Sequence, residues 1–116
     1  MRDILLQISG VVAIAAALIH GVLTERKIFP RMTIEPQSLR TLSRFVWQIP
    51  TVAWIAGGVL LIVTPSMESD SARHWIVVTL ACLFAFSALG NAVGNRFRHF
   101  GWIVLGAVIA MAVAGY

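Results

Sequence analysis

The chain has 116 residues, enough for one domain. Hydrophobic residues make up 59% of it and charged residues 12%, against roughly 45–50% and 25% in soluble domains, so an ordinary soluble fold is excluded and a lipid-facing surface is implied. The net charge of +4 and a pI of about 10.7 do not point to nucleic acid, because the nine Lys and Arg lie outside the apolar segments, where they act as topology signals facing anionic headgroups.

A membrane-crossing helix needs roughly 20 mostly apolar residues. The sequence predicts four such segments in an all-α bundle: residues 4–23, 45–63, 75–93 and 100–116, the last being the shortest. None contains a formal charge. Uninterrupted runs such as Val11 to Ile19 do not alternate, which excludes barrel strands. In lipid the backbone must satisfy itself within the segment, so helix is the remaining choice.

The first segment is interrupted only by Gln7, Ser9 and His20. Its apolar run continues past Ala15, too far for a signal peptide cleaved after Ala13-Ile14-Ala15. The connection 24–44 carries Arg26, Lys27, Arg31, Arg40 and Arg44. Within it, residues 36–46 read as an amphipathic helix, with Pro36 in its first turn and Glu35 as a weak cap. It is either a surface helix or an extension of the second span. Pro50, one turn into that span, predicts a kink near Gln48. Trp54 falls mid-span, between helices or against lipid. Pro65 ends the second span, and Trp47, Trp75 and Trp102 lie near span ends, where indoles favour the headgroup layer. Cys82, the only cysteine, excludes an internal disulfide and a Cys-rich metal site.

Charge sets the orientation. Arg96 and Arg98 join the five cations of connection 24–44 on one side, leaving only Arg2 and Arg73 on the other. The positive-inside bias therefore predicts that both connections are cytoplasmic and both termini non-cytoplasmic, in a multi-pass bacterial inner-membrane protein.

Small residues recur at helical spacing: Ser9, Ala13, Ala17 and Gly21 on the first span, Gly90 and Gly94 on the third, Gly106, Ala110 and Ala114 on the fourth. They allow close helix packing within the chain, or in a homodimer or larger membrane complex. With this topology, polar residues collect at the cytoplasmic level: His20, Glu25, Arg44, Gln48, Asn91, Asn95 and His99. Polar groups in lipid turn inward to find partners. The cluster is thus a structural clasp, or a site for a polar ligand, headgroup, proton or ion. Glu25 either pairs with Arg26 and Lys27 at the surface or turns inward to His20 or Arg44. His20 and His99 also suit haem ligation in principle, although neither lies in a haem-attachment motif. His74 sits at the other face as an interfacial residue.

No Ser-His-Asp set, HExxH, phosphate loop or GxGxxG occurs in a suitable context, and no metal site is expected. His20-Gly21, Glu25-Arg26, Phe29-Pro30 and the Trp-bearing second span resemble a group of small uncharacterised four-span bacterial inner-membrane proteins. The resemblance extends over most of the chain and implies fold and location, without an activity. Small proton-coupled drug exporters share the size and helix count, but depend on a glutamate inside the first span, where this chain has none. The sequence thus predicts a non-enzymatic accessory or interaction subunit with no cofactor. The alternatives are a small oligomeric transporter or channel, with the polar cluster as its site, and a haem- or quinone-binding protein.

Overall fold

The computed structural model describes residues 1–116 and is all-helical, with no strand. Four helices form it: α1 (Arg2–Leu23), α2 (Gln37–Val63), α3 (Asp70–Gly94) and α4 (Gly101–Gly115). They run up and down in one bundle 50 Å long. α1 packs most extensively on α2 and then on α4, α3 lies along α4, and α2 meets α3 more lightly.

Both termini share one end. A Cβ on Gly115 would lie 2.7 Å from the Arg2 carbonyl oxygen. His74 Nδ1 is 2.6 Å from the Tyr116 hydroxyl. Arg73 reaches Asp3 at 3.3 Å and donates to the carbonyls of Thr64 and Pro65, tying the α2–α3 connection to α1. This is the terminal end; Glu25, Arg44 and the α3–α4 connection mark the opposite, basic end. Ser69 starts α3 by accepting the Ala72 N–H, satisfying one of the orphan donors of a first turn.

Several boundaries differ from the sequence reading. α1 does not stop at Leu23 but winds on through a π-helical turn, Thr24–Ile28, and a 3-10 turn, Phe29–Arg31. Residues 36–46 are no separate surface helix: from Gln37 they form the first turns of α2, which continues through Pro50 to Val63. Glu35 makes no cap, since Pro36 precedes the helix without a side-chain hydrogen bond. The α3–α4 turn places Arg96 and Phe97 at φ 51° and 61°, a left-handed conformation that side chains seldom adopt.

Three helical stretches are long and apolar enough to cross a membrane: 2–31, 37–66 and 70–94. α4, with 15 residues, is about 22 Å long at ~1.5 Å per residue, short of a hydrocarbon core of about 30 Å. Only 20 of the 116 residues are buried, while Val52, Phe86 and Ile103 point outward, 67%, 80% and 56% exposed. Soluble monomers rarely expose an apolar surface so continuous.

The core is a narrow seam. Ala13, Ala17, Leu61 and Val108 are fully buried, with Phe84 and Leu105 nearly so. Ser9 joins them and turns its hydroxyl back to the Leu6 carbonyl, 2.7 Å away. The closest helix approach is at Gly10 and Gly58: a Cβ on Gly58 would lie 2.6 Å from the Gly10 carbonyl oxygen, and Ile14 would block it as well. Gly21 faces Thr51 and Gln48 of α2. The small-residue stripes of the third and fourth segments take no part in packing within the chain. Gly90, Gly94 and Gly106 have nothing within 4 Å of an added Cβ, because α3 and α4 pack through Phe84, Leu105, Val108 and Ala112 instead.

Candidate functional site

The site at the basic end grows from the seam between α1 and α2. Thr24, fully buried, donates its hydroxyl to the His20 carbonyl at 2.7 Å. The helix then widens into the π turn, closed by the Phe29 N–H on the Thr24 carbonyl. Glu25 stands four residues after Gly21, on the helix face that Gly21 turns to Thr51 and Gln48 of α2, and the wider turn rotates the residues that follow. Phe29 anchors the far side: it is buried and sits edge-on to Trp47, 6.0 Å between centroids. Arg40 holds the connection down by donating to the carbonyls of Met32 (2.7 Å) and Phe29 (3.2 Å).

Four polar side chains meet there. Glu25 takes both branches of the Arg44 guanidinium, Nε at 3.1 Å and a still closer Nη2. Gln48 Nε2 donates to Glu25 Oε1 at 3.1 Å and to the Gly21 carbonyl at 3.3 Å, while its Oε1 accepts the Thr51 hydroxyl at 2.7 Å. His20 Nε2 lies 3.3 Å from the Trp47 carbonyl, and its ring is tilted against Trp54 at 4.9 Å. The Glu25 carboxyl, past the last residue of α1, is held below its ordinary value by the Arg44 hydrogen bond first and the Gln48 amide second. Arg44 is correspondingly pushed up by Glu25.

From Trp54, which is buried, Nε1 donates to Ser87 Oγ of α3 at 3.1 Å. That bond is the polar link between the clasp and the third helix. Of the two positions open to Trp54, the one between helices is occupied; of the two open to Glu25, the inward one.

Asn91, Asn95 and His99 do not join the clasp. They form a second group where α3 turns into α4. Asn91 lies flat on Gly101, whose added Cβ would be 2.8 Å from Asn91 Nδ2. Asn95 Nδ2 donates back to the Asn91 carbonyl at 2.9 Å, and His99 Nδ1 accepts the Gly101 N–H at 3.1 Å. The separation follows from packing: α3 touches α2 only lightly, so the two polar ends share no hydrogen bond. His20 and His99 accordingly belong to different hydrogen-bonded groups.

Sequence reasoning missed Thr51, although it stands three residues after Gln48 on one helical face. It also missed the tie of Arg73, His74 and Tyr116, for which the sequence carries no local signal, since its partners lie 42 to 70 residues apart. Two buried polar atoms have no partner, Asn91 Oδ1 and Trp102 Nε1. A hollow of about 590 Å³ is an open apolar groove along α2 near Phe45 and Ile49 rather than a cavity between helices. No protein-family model, curated protein or solved structure matches the chain, so the functional reading rests on this geometry.

Proposed function

We propose that the chain is a multi-pass bacterial inner-membrane protein whose four helices all enter the bilayer. The basic end faces the cytoplasm and both termini face away from it. It serves as a non-enzymatic accessory or interaction subunit. The apolar outer surface and the bias of seven Lys and Arg towards one end support the placement.

The observation that carries the functional reading is saturation. Glu25, Arg44, Gln48 and Thr51 satisfy one another or a backbone carbonyl, and His20 has the Trp47 carbonyl. A binding site presents unsatisfied groups to its ligand; this cluster presents almost none, so it acts as a clasp that fixes the register of α1 on α2. The test is to compare the native protein with His20→Ala and Gln48→Leu, both in detergent and in liposomes. The expected result is lower thermal stability for the variants and no flux of protons, alkali cations or small cationic dyes by any of the three. Flux by the native protein that His20→Ala abolishes would overturn this reading in favour of a small transporter or channel.

A further inference from the structure

The α3–α4 corner of the basic end combines three features that the clasp does not explain. The first is a step in helix length. His74 of α3 and Tyr116 of α4 touch through their side chains at the terminal end. From there to Gly94 is about 30 Å of helix, but from Tyr116 to Gly101 only about 22 Å. It is accordingly Asn91, one turn before the end of α3, that packs on the start of α4. The start of α4 is thus recessed by about one helical turn, ~5 Å, relative to the end of α3.

The second feature is free charge. Arg96 and Arg98 are exposed in the turn and neither is paired, the two ion pairs of the chain being Glu25–Arg44 and Asp3–Arg73. No acidic residue follows Asp70 in the sequence, so no local carboxylate is available to them. The third is the pair of unpartnered buried atoms. Trp102 Nε1 is a donor without an acceptor and Asn91 Oδ1 an acceptor without a donor, and both residues adjoin Gly101. A buried polar atom without a partner keeps the cost of its lost hydration. Phe97, itself 62% exposed, lies edge-on to the Trp102 ring at 5.6 Å.

We propose that this recess holds the headgroup of an anionic phospholipid from the inner leaflet, drawn below the ordinary headgroup level. Arg96 and Arg98 take the phosphate, Trp102 Nε1 donates to a phosphate or ester oxygen, and a headgroup hydroxyl supplies Asn91 Oδ1. The inference rests on the membrane placement proposed above. It distinguishes this corner from the cations of connection 24–44, where no buried polar side-chain atom is left unpartnered.

The experiment is native mass spectrometry of the full chain in mild detergent, titrated with phosphatidylglycerol or phosphatidylcholine, preceded by alkaline carbonate extraction of the membranes. Each cation near an anionic lipid is worth about fivefold in affinity. R96Q/R98Q is therefore expected to weaken phosphatidylglycerol binding about 30-fold and to leave phosphatidylcholine unchanged. W102F, which deletes only the donor, is expected to weaken it several-fold. R26Q/R31Q, which removes the same charge elsewhere at the basic end, is expected to change it less than about threefold. Equal losses in R96Q/R98Q and R26Q/R31Q, or no preference of the native chain for the anionic lipid, would overturn the site while leaving the membrane placement standing. Release of the native chain by carbonate would overturn both.

Discussion

The α1–α2 seam and the α3–α4 corner use the same vocabulary of carboxamide, histidine and arginine at the same end of the bundle, and use it differently. In the seam, Gln48 fills its hydrogen-bonding capacity and Arg44 meets a carboxylate. In the corner, Asn91 leaves an oxygen unpaired and two arginines have no anion. Two differences account for this. The seam has an acid, Glu25, one turn after Gly21 on the face turned to α2, whereas the corner has none. The helices of the seam are also both long, whereas α4 stops early. Polar residues at one level of the bundle are therefore not one site. Their role depends on whether the chain brings them partners, and that depends on helix length and phase.

The same comparison holds among the glycines, and there the largest effect is expected. Gly58 faces the backbone of Gly10, which cannot move aside as a side chain can. Gly58→Val should separate α1 from α2 and destabilise the bundle by about 3 kcal/mol or more, as severe overpacking does. Gly106→Val and Gly90→Val enter open space and should leave the melting temperature in detergent unchanged. Equal loss in all three would show that α3 and α4 pack on a second copy through those stripes.

Next in size is Gln48→Leu, nearly isosteric, which leaves the Gly21 carbonyl and one Glu25 oxygen without that donor and should cost about 1–3 kcal/mol. Trp54→Phe retains the ring against His20 but loses the bond to Ser87, and about 1 kcal/mol is expected. Combined with Ser87→Ala in a double-mutant cycle, it should show a coupling of similar size. A coupling of zero would mean that α3 is held by its apolar contacts alone. Both values are read from thermal or denaturant unfolding in one detergent.

Much of this architecture was legible in the sequence, and the limits were physical ones. Apolar runs announced the helices, and the stripe Ser9, Ala13, Ala17, Gly21 announced the face that α1 turns to its neighbours, because a regular helix has a fixed period. The period fails where the helix is not regular. The π turn Thr24–Ile28 departs from that period, and nothing in Thr-Glu-Arg-Lys-Ile marks it. Glycine spacing alone does not say which side of a helix meets protein and which meets lipid. Gly10 and Gly58 stand at the closest contact although they form no small-xxx-small stripe, while the GxxxG of Gly90 and Gly94 faces outward. The split of the polar cluster was illegible for a similar reason: depth along a helix can be counted from the sequence, but lateral neighbourhood cannot.

The smallest effect is expected from pH, and it isolates the acid that distinguishes the two regions. Glu25 is held below its ordinary value of 4.5 by Arg44 and Gln48. A carboxyl with a lower value in the folded chain binds fewer protons there than in the unfolded chain. Its contribution to stability is therefore present above about pH 4.5 and is lost as the pH falls through the lower, folded value. Melting in detergent, followed from about pH 7 to about pH 3, should show a shallow fall confined to the acid limb. Arg44→Gln removes the main cause of the depression, and its acid limb should be flatter than that of the native chain. The pair is solvent-exposed, so added salt should narrow the difference between the two curves. Parallel curves at low salt would assign the acid sensitivity to another carboxylate and leave the clasp to Gln48 and His20.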